Sequence, residues 1–176
     1  MGDALRRVFL SIGVALGLVS GQPDPVLHAR LFVDGTALAM GARIENAFAP
    51  GARELVEDGT HLALRFEARL QRPDGSSIEA RETRTIWYDM RQRLFLVGFD
   101  GGKTAALADP GAAMTLVAEP ERIGLGELDE TPPGTRVLAS AAIGIVDARG
   151  AWHDAPVLWN YSKPRAVLDI RTGVRP

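Results

Sequence analysis

A regular alternation of apolar and polar side chains in the middle of the chain predicts β-strands. In residues 62–70 every second side chain is apolar, and Arg65, Glu67 and Arg69 stand between them. A period of two is typical of an antiparallel strand that is buried on one face and hydrated on the other. Residues 27–33 alternate in the same way and lead into Asp34-Gly35, a dipeptide that favours a hairpin turn.

The remaining pattern divides the chain into further short elements. Strands are predicted at residues 36–47, 78–88, 94–99, 136–147, 157–161 and 165–170, and helical segments at 50–57, 103–108 and 110–117. Residues 78–88 carry charges on both faces, which indicates an exposed or edge strand whose charges protect it from aggregation. Residues 119–134 are rich in Pro, Gly and acidic side chains and are predicted to form a long surface loop, as residues 148–155 form a shorter one.

Hairpin-linked strands with short helical segments predict a single mainly β domain. The architecture that fits them best is an antiparallel β-sandwich, immunoglobulin-like or similar, with one or two short helices. The chain has 176 residues, of which 46% are hydrophobic and 24% charged, as expected for a globular protein. The sequence contains no internal repeat and no sign of a second domain.

The N-terminal segment predicts export. Residues 8–21 are uncharged and largely apolar, and they follow Arg6 and Arg7. This stretch is too short to cross a hydrocarbon core of about 30 Å, but it fits the apolar region of a signal peptide. Small residues end it at Gly21, so residues 1–21 are predicted to be a signal peptide and residues 22–176 a single β-rich domain. We expect a periplasmic or otherwise exported protein without a stable transmembrane span. An uncleaved signal would anchor it by its N-terminus, and Arg6-Arg7 leaves the twin-arginine export route open.

Charge and cysteine content exclude three classes of protein. The net charge is −2, which lacks the basic excess that nucleic-acid binding requires. There is no cysteine, so the exported domain has no disulfide framework and the chain is not a lipoprotein.

Several short phrases resemble a family of exported bacterial proteins that is catalogued as a domain of unknown function. They are ELVEDG at residues 54–59, LxLxFExxLxRPDG at residues 62–75, Trp87-Tyr88-Asp89, and PPGT at residues 132–135. Members of the family are often encoded near a nitrogen-regulation-type sensor kinase. The resemblance implies an envelope location and a small β-domain, and it offers no catalytic residues to carry over.

The chain departs from this family in its tryptophan content. Many members carry a tryptophan-rich strand, whereas this chain has only Trp87, Trp152 and Trp159.

The sequence predicts no catalytic residue, no metal site and no cofactor. The three histidines, His28, His61 and His153, lack the spacing of metal ligands. His153-Asp154 is the most suggestive pair for acid–base chemistry, although a polar turn explains it as well. The acidic residues between 127 and 130 offer oxygen ligands to a hard cation, but a solvated loop is the simpler interpretation.

Aromatic residues near the C-terminus form the candidate binding patch. Trp159 and Tyr161 are predicted to share one strand face, with Lys163 after them, and Trp152 and His153 lie shortly before. Large aromatic and cationic side chains on a surface are typical of recognition sites.

Three functions remain open from the sequence. We expect a non-enzymatic envelope protein that binds another protein or a cell-wall component, and residues 78–88 are one place where a partner strand could add. The alternatives are a protein that binds an apolar small molecule between sheet and helices, and an enzyme with an unrecognised site near His153.

Overall fold

The computed structural model describes residues 23–170, which form ten strands and two α-helices. The predicted signal peptide, residues 1–21, lies outside the described residues. In chain order the elements are β1 (Val26–Asp34), β2 (Ala37–Glu45), α1 (Ala52–Glu57), β3 (Leu62–Gln71), β4 (Ser77–Asp89), β5 (Leu94–Phe99), β6 (Thr104–Leu107), α2 (Pro110–Ala118), β7 (Ile123–Glu127), β8 (Arg136–Val146), β9 (Trp152–Asp154) and β10 (Arg165–Asp169). Short 3-10 helices occupy Leu128–Glu130 and Pro156–Trp159.

The strands form two antiparallel sheets. The small sheet has the order β1-β2-β7, and the seven-stranded sheet has the order β10-β8-β3-β4-β5-β6. The seventh strand of the large sheet, β9, pairs with the C-terminal end of β8. It lies on the same side of β8 as β10, which pairs with the N-terminal end. The predicted mainly β fold, two antiparallel sheets in a sandwich-like arrangement with two short helices, is confirmed.

The core lies between the sheets and is centred on β3. Alternate residues of β3 are at most 1% exposed: Leu62, Leu64, Phe66, Ala68 and Leu70. Glu67 and Arg69, on the opposite face, are exposed, as the alternation predicted. Each large apolar side chain that is removed from water in this way contributes about 1.5–3 kcal/mol. We call the face of the seven-stranded sheet that points away from this core the outer face.

A buried arginine joins α2 to the inner face of the large sheet. The side chain of Arg84, only 8% exposed, donates from Nε to Glu82 Oε1 at 2.6 Å. Its Nη1 donates to the carbonyls of Leu116 and Glu119, at 2.5 and 3.1 Å. Because the carbonyls at the end of a helix carry partial negative charge, the guanidinium satisfies them and holds the helix in place.

The other end of α2 is also well defined. The side chain of Asp109 accepts a hydrogen bond from Ala112 N at 2.7 Å, and Pro110 occupies the first turn. Both features are common at helix starts, because they satisfy or remove donors that have no partner within the helix. The predicted helix at residues 110–117 is therefore confirmed.

Four local predictions were wrong, three of them because neighbouring strands supplied partners that the sequence did not reveal. Residues 103–108 form a strand, not a helix, since the turn at Gly101 and Gly102, with φ of 89° and 82°, folds β6 back onto β5. The predicted loops at 119–134 and 148–155 contain β7 and β9. The predicted strand at 157–161 is a 3-10 helix that ends with two positive-φ residues, Asn160 and Tyr161.

The edge position predicted for residues 78–88 holds for only half of the strand. Arg84–Asp89 pairs with β5, so this part of β4 is internal. Residues 77–83 pair with β3 alone. The charges on both faces misled the prediction, because Glu82 and Arg84 point inward and pair with each other.

Candidate binding surface

The outer face of the large sheet has a row of small residues near one end. Gly144, Ala63, Thr85 and Gly98 are neighbours in register across β8, β3, β4 and β5. Two of them lack a side chain altogether, so large rings from neighbouring positions can lie directly on the backbone. The side chains that use this space are His61, Arg65, Trp87 and Trp152, which we call the outer aromatic surface.

Trp152 lies against the backbone of Gly144. A Cβ atom at residue 144 would come within 2.5 Å of Cζ2 of the indole, so only glycine fits beneath the ring. The indole Nε1 donates to Asp154 Oδ1 at 2.7 Å. Both contacts fix the orientation of the ring on the sheet.

Trp87 lies in the same manner on Gly98. A Cβ atom at residue 98 would be 3.1 Å from Cζ3 of this indole. The ring also stacks with His61, at 5.4 Å between centroids and 25° between planes. Burial lowers the pKa of His61, because partial removal from water disfavours the charged imidazolium.

Arg65 has an aromatic contact, but its Nε has no hydrogen-bond acceptor among the residues that the structure describes. Its Cζ lies 4.0 Å from the centroid of the Trp152 ring, a cation–π contact. Its Nε is buried and has no partner among residues 23–170. A buried donor without an acceptor is unusual in a native protein.

A shallow groove continues the outer face beyond Arg65. Its volume is about 710 Å³, and its lining includes Glu67, Arg69, Glu79, Arg81, Leu138 and Val167. Val167 is 63% exposed and Leu138 38% exposed. The groove therefore combines apolar side chains with charges of both signs.

Two further spaces are less suited to a specific ligand. An open groove of about 660 Å³ separates the small sheet from α2 and is lined by residues that include His28, Arg43 and Leu116. The apolar cavity among Leu55, Leu62 and Leu158 holds only about 10 Å³, which is the space of a single water.

The predicted pair His153-Asp154 does not act together. His153 Nε2 lies 3.1 Å from Asp147 Oδ2, whereas Asp154 accepts its hydrogen bond from Trp152. The bond from His153, followed by backbone N–H bonds from Ala151 and Arg149, lowers the pKa of Asp147 to about 2. These contacts close the turn between β8 and β9.

The predicted patch at the C-terminus is divided between the core and the surface. Trp159 is 2% exposed and its Nε1 donates to Ala47 O at 2.7 Å, so this ring is part of the core. Tyr161 is 71% exposed and Lys163 is exposed as well. Trp159 ends the 3-10 helix and the chain then turns through the positive-φ residues Asn160 and Tyr161, so Trp159 and Tyr161 do not share a strand face as predicted. Of the predicted binding residues, Trp152 alone belongs to the outer aromatic surface.

Sequence reasoning missed three of the four members of this surface. Arg65 resembled an ordinary solvent-facing residue of β3, and His61 and Trp87 are distant in sequence from Trp152. The available signal was glycine within predicted strands, at Gly98 and Gly144, since such glycines often mark the close approach of another group.

The three histidines do not converge. His28 Nε2 lies 3.0 Å from Glu45 Oε2, while His61 and His153 have the separate partners described above. Within the part of the chain that the structure describes, no group of three or more His, Cys, Asp or Glu residues is arranged to hold a metal ion. In the same residues no helix combines the length and apolar character needed to cross a bilayer.

Comparison with known proteins gave no matching family model, no matching curated protein and no matching solved structure. The resemblance to the exported family stays a prediction.

Proposed function

We propose that the protein is a non-enzymatic binding module of the cell envelope, and that a cell-wall component docks on its outer aromatic surface. One observation carries the proposal: the guanidinium of Arg65 lies on the Trp152 ring, on the outer face of the sheet, with a donor that has no acceptor among the described residues. The envelope location rests on the predicted signal peptide.

The surface offers two kinds of contact to one ligand. The indoles of Trp87 and Trp152 are large and rigid, so they provide contact area at a low cost in side-chain entropy. Arg65 offers N–H groups in a fixed planar arrangement that suits a carboxylate or a phosphate. Gly98 and Gly144 are separated by three strand spacings, about 14 Å, so the ligand must be extended.

An acidic cell-wall polymer has the matching chemistry. Sugar rings present C–H groups on their faces, which pack on indoles, while their carboxylate or phosphate substituents would accept hydrogen bonds from Arg65. The partial exposure of both indoles is consistent with contact along an extended chain.

The proposal is tested by co-sedimentation of the full-length chain with purified peptidoglycan sacculi. Arg65→Met should lower the affinity about tenfold or more, because hydrogen bonds to charged groups contribute about 1.5–3 kcal/mol. Arg69→Met is the matched control, since Arg69 lies on the same face of the same strand and has only a loose contact, 3.9 Å from Glu79. Equal binding by the wild type and Arg65→Met would contradict the proposal, as would equal losses in the two variants.

The two alternatives have less support. An apolar small molecule between sheet and helices would need an enclosed apolar space. The cavity among Leu55, Leu62 and Leu158 holds only about 10 Å³, and the groove of about 660 Å³ between the small sheet and α2 is open and has charged side chains in its lining. An enzyme site near His153 would need that side chain to face a reactive partner, whereas its contact with Asp147 closes a turn.

A further inference from the structure

The open half of β4 has backbone groups that are directed away from β3. Thr83 N–H donates to Asp100 Oδ2 at 2.7 Å, and Asp100 directly follows β5, so Thr83 faces the side of β4 that β5 occupies further along. The N–H and C=O groups of a strand residue point the same way, and every second residue repeats that direction. Glu79 and Arg81 therefore direct their backbone groups to this side, where no strand of the described residues pairs with them.

We propose that this edge pairs with the same edge of a second copy of the chain, antiparallel and around a two-fold axis at Ala80. In that register Glu79 of each copy lies opposite Arg81 of the other. Such opposite residues exchange two backbone hydrogen bonds per pair, and their side chains project from the same face. The dimer would join two seven-stranded sheets into one continuous sheet.

The charges select this register over its neighbours. Only odd-numbered residues direct their backbone groups to this edge. Any other two-fold symmetric register must therefore also place odd-numbered residues of one copy opposite odd-numbered residues of the other. One shift places Glu79 opposite Glu79, and the other places Arg81 opposite Arg81, which are repulsive pairs. The Ala80-centred register is the one that brings opposite charges together twice.

The charges within one copy extend the same pattern. Arg69 and Glu79 are cross-strand partners on the outer face, and so are Glu67 and Arg81. Across the proposed interface, a row of charged side chains would run from Arg69 and Glu79 of one copy to Arg81 and Glu67 of the second copy. Signs alternate along the whole row, so each charge at the interface has an opposite charge on both sides.

Charge variants test the pairing by sedimentation velocity of the full-length chain over a concentration series. Glu79→Arg and Arg81→Glu should each raise the dimer dissociation constant about tenfold or more, because both symmetric pairs become repulsive. An equal mixture of the two variants should associate again, since two arginines of one chain then face two glutamates of the other. Thermal unfolding of each variant should match the wild type at concentrations where the wild type is monomeric, because both side chains are exposed.

A cross-link tests the register. Ala80 lies opposite itself in a pair without hydrogen bonds, with Cα atoms about 4.5 Å apart, which is within the range of a disulfide. The chain has no cysteine, so Ala80→Cys should give a disulfide-linked dimer on mild oxidation, whereas Val167→Cys on the edge strand β10 should give far less. A wild type that stays monomeric, a mixture that does not recover, or equal cross-linking at both positions would overturn the proposal.

Discussion

Arg84 and Arg65 belong to neighbouring strands of one sheet and both contact an aromatic ring, Phe99 and Trp152, but they lie on opposite faces and differ in their hydrogen bonds. Arg84 points into the core and finds acceptors in Glu82 and in two carbonyls of α2. Arg65 points outward and finds an aromatic ring, while its buried Nε has no acceptor among the described residues. Arg84 therefore has all of these hydrogen-bond acceptors within the fold. Arg65 lies on the outer face, where the proposed ligand would bind.

The largest expected effect follows from removal of the inner guanidinium. Arg84→Met should lower the free energy of unfolding by about 3–5 kcal/mol, because Glu82, whose side chain is only 17% exposed, then loses its partner and the end of α2 loses its donors. Denaturant unfolding measures the change. The double variant Arg84→Met with Glu82→Leu should recover a large part of the loss, and a single variant as stable as the wild type would remove the distinction between the two arginines.

A smaller effect is expected where the outer ring is displaced. Gly144→Ala places a Cβ atom about where the Trp152 indole lies, so the ring must move and Arg65 loses its contact. We expect a loss of about 1–3 kcal/mol in the free energy of unfolding, as for other overpacked sites. Gly124→Ala is the matched control, since nothing lies within 4 Å of a Cβ atom there. Equal losses in the two variants would show that the ring is not held on the glycine.

Removal of the outer guanidinium should change stability very little. Arg65→Met loses a cation–π contact of about 0.5–1 kcal/mol, and it also removes a buried donor that lacks a partner. The free energy of unfolding should therefore stay within about 1 kcal/mol of the wild type. A loss as large as that of Arg84→Met would mean that Arg65 has a structural role, and the proposed binding role would lose its basis.

The smallest effect concerns pH. Burial holds the pKa of His61 below its usual value of 6.5, so between these two pKa values the unfolded chain binds more protons than the folded one. Stability should fall as the pH decreases through 6.5 and level off below the pKa of the folded state. His61→Phe keeps an aromatic ring against Trp87 and should flatten this part of the profile in denaturant unfolding. An unchanged slope would assign the pH dependence to another group.

The long elements were predictable from the sequence because their own side chains specify them. β3 alternates over its whole length, and β8 is apolar on both faces, as expected for a strand between two others. The short strands β6, β7 and β9 were not predictable, since their residues have weak strand preference and depend on partners that are distant in sequence. Arg84 illustrates the limit, because a charge in a strand pattern does not reveal whether it faces water or a helix end.

The candidate surface was less predictable than the fold. Trp152 was singled out for its residue type, but its neighbours are set by register: Gly144 and Ala63 become adjacent only when β8 pairs with β3. Trp159, of the same type, entered the core because the 3-10 helix turns it towards Ala47. Residue type thus identifies candidates, and strand pairing decides which of them meet.

The packing of two indoles on two glycines also constrains which substitutions this protein can accept during evolution. A side chain cannot be gained at residue 144 while Trp152 is present, and loss of the indole first would remove the ring that Arg65 contacts. Neither single substitution is neutral, so residues 144 and 152 are expected to change together. Gly98 and Trp87 form a second pair with a looser fit, which we expect to diverge sooner among descendants.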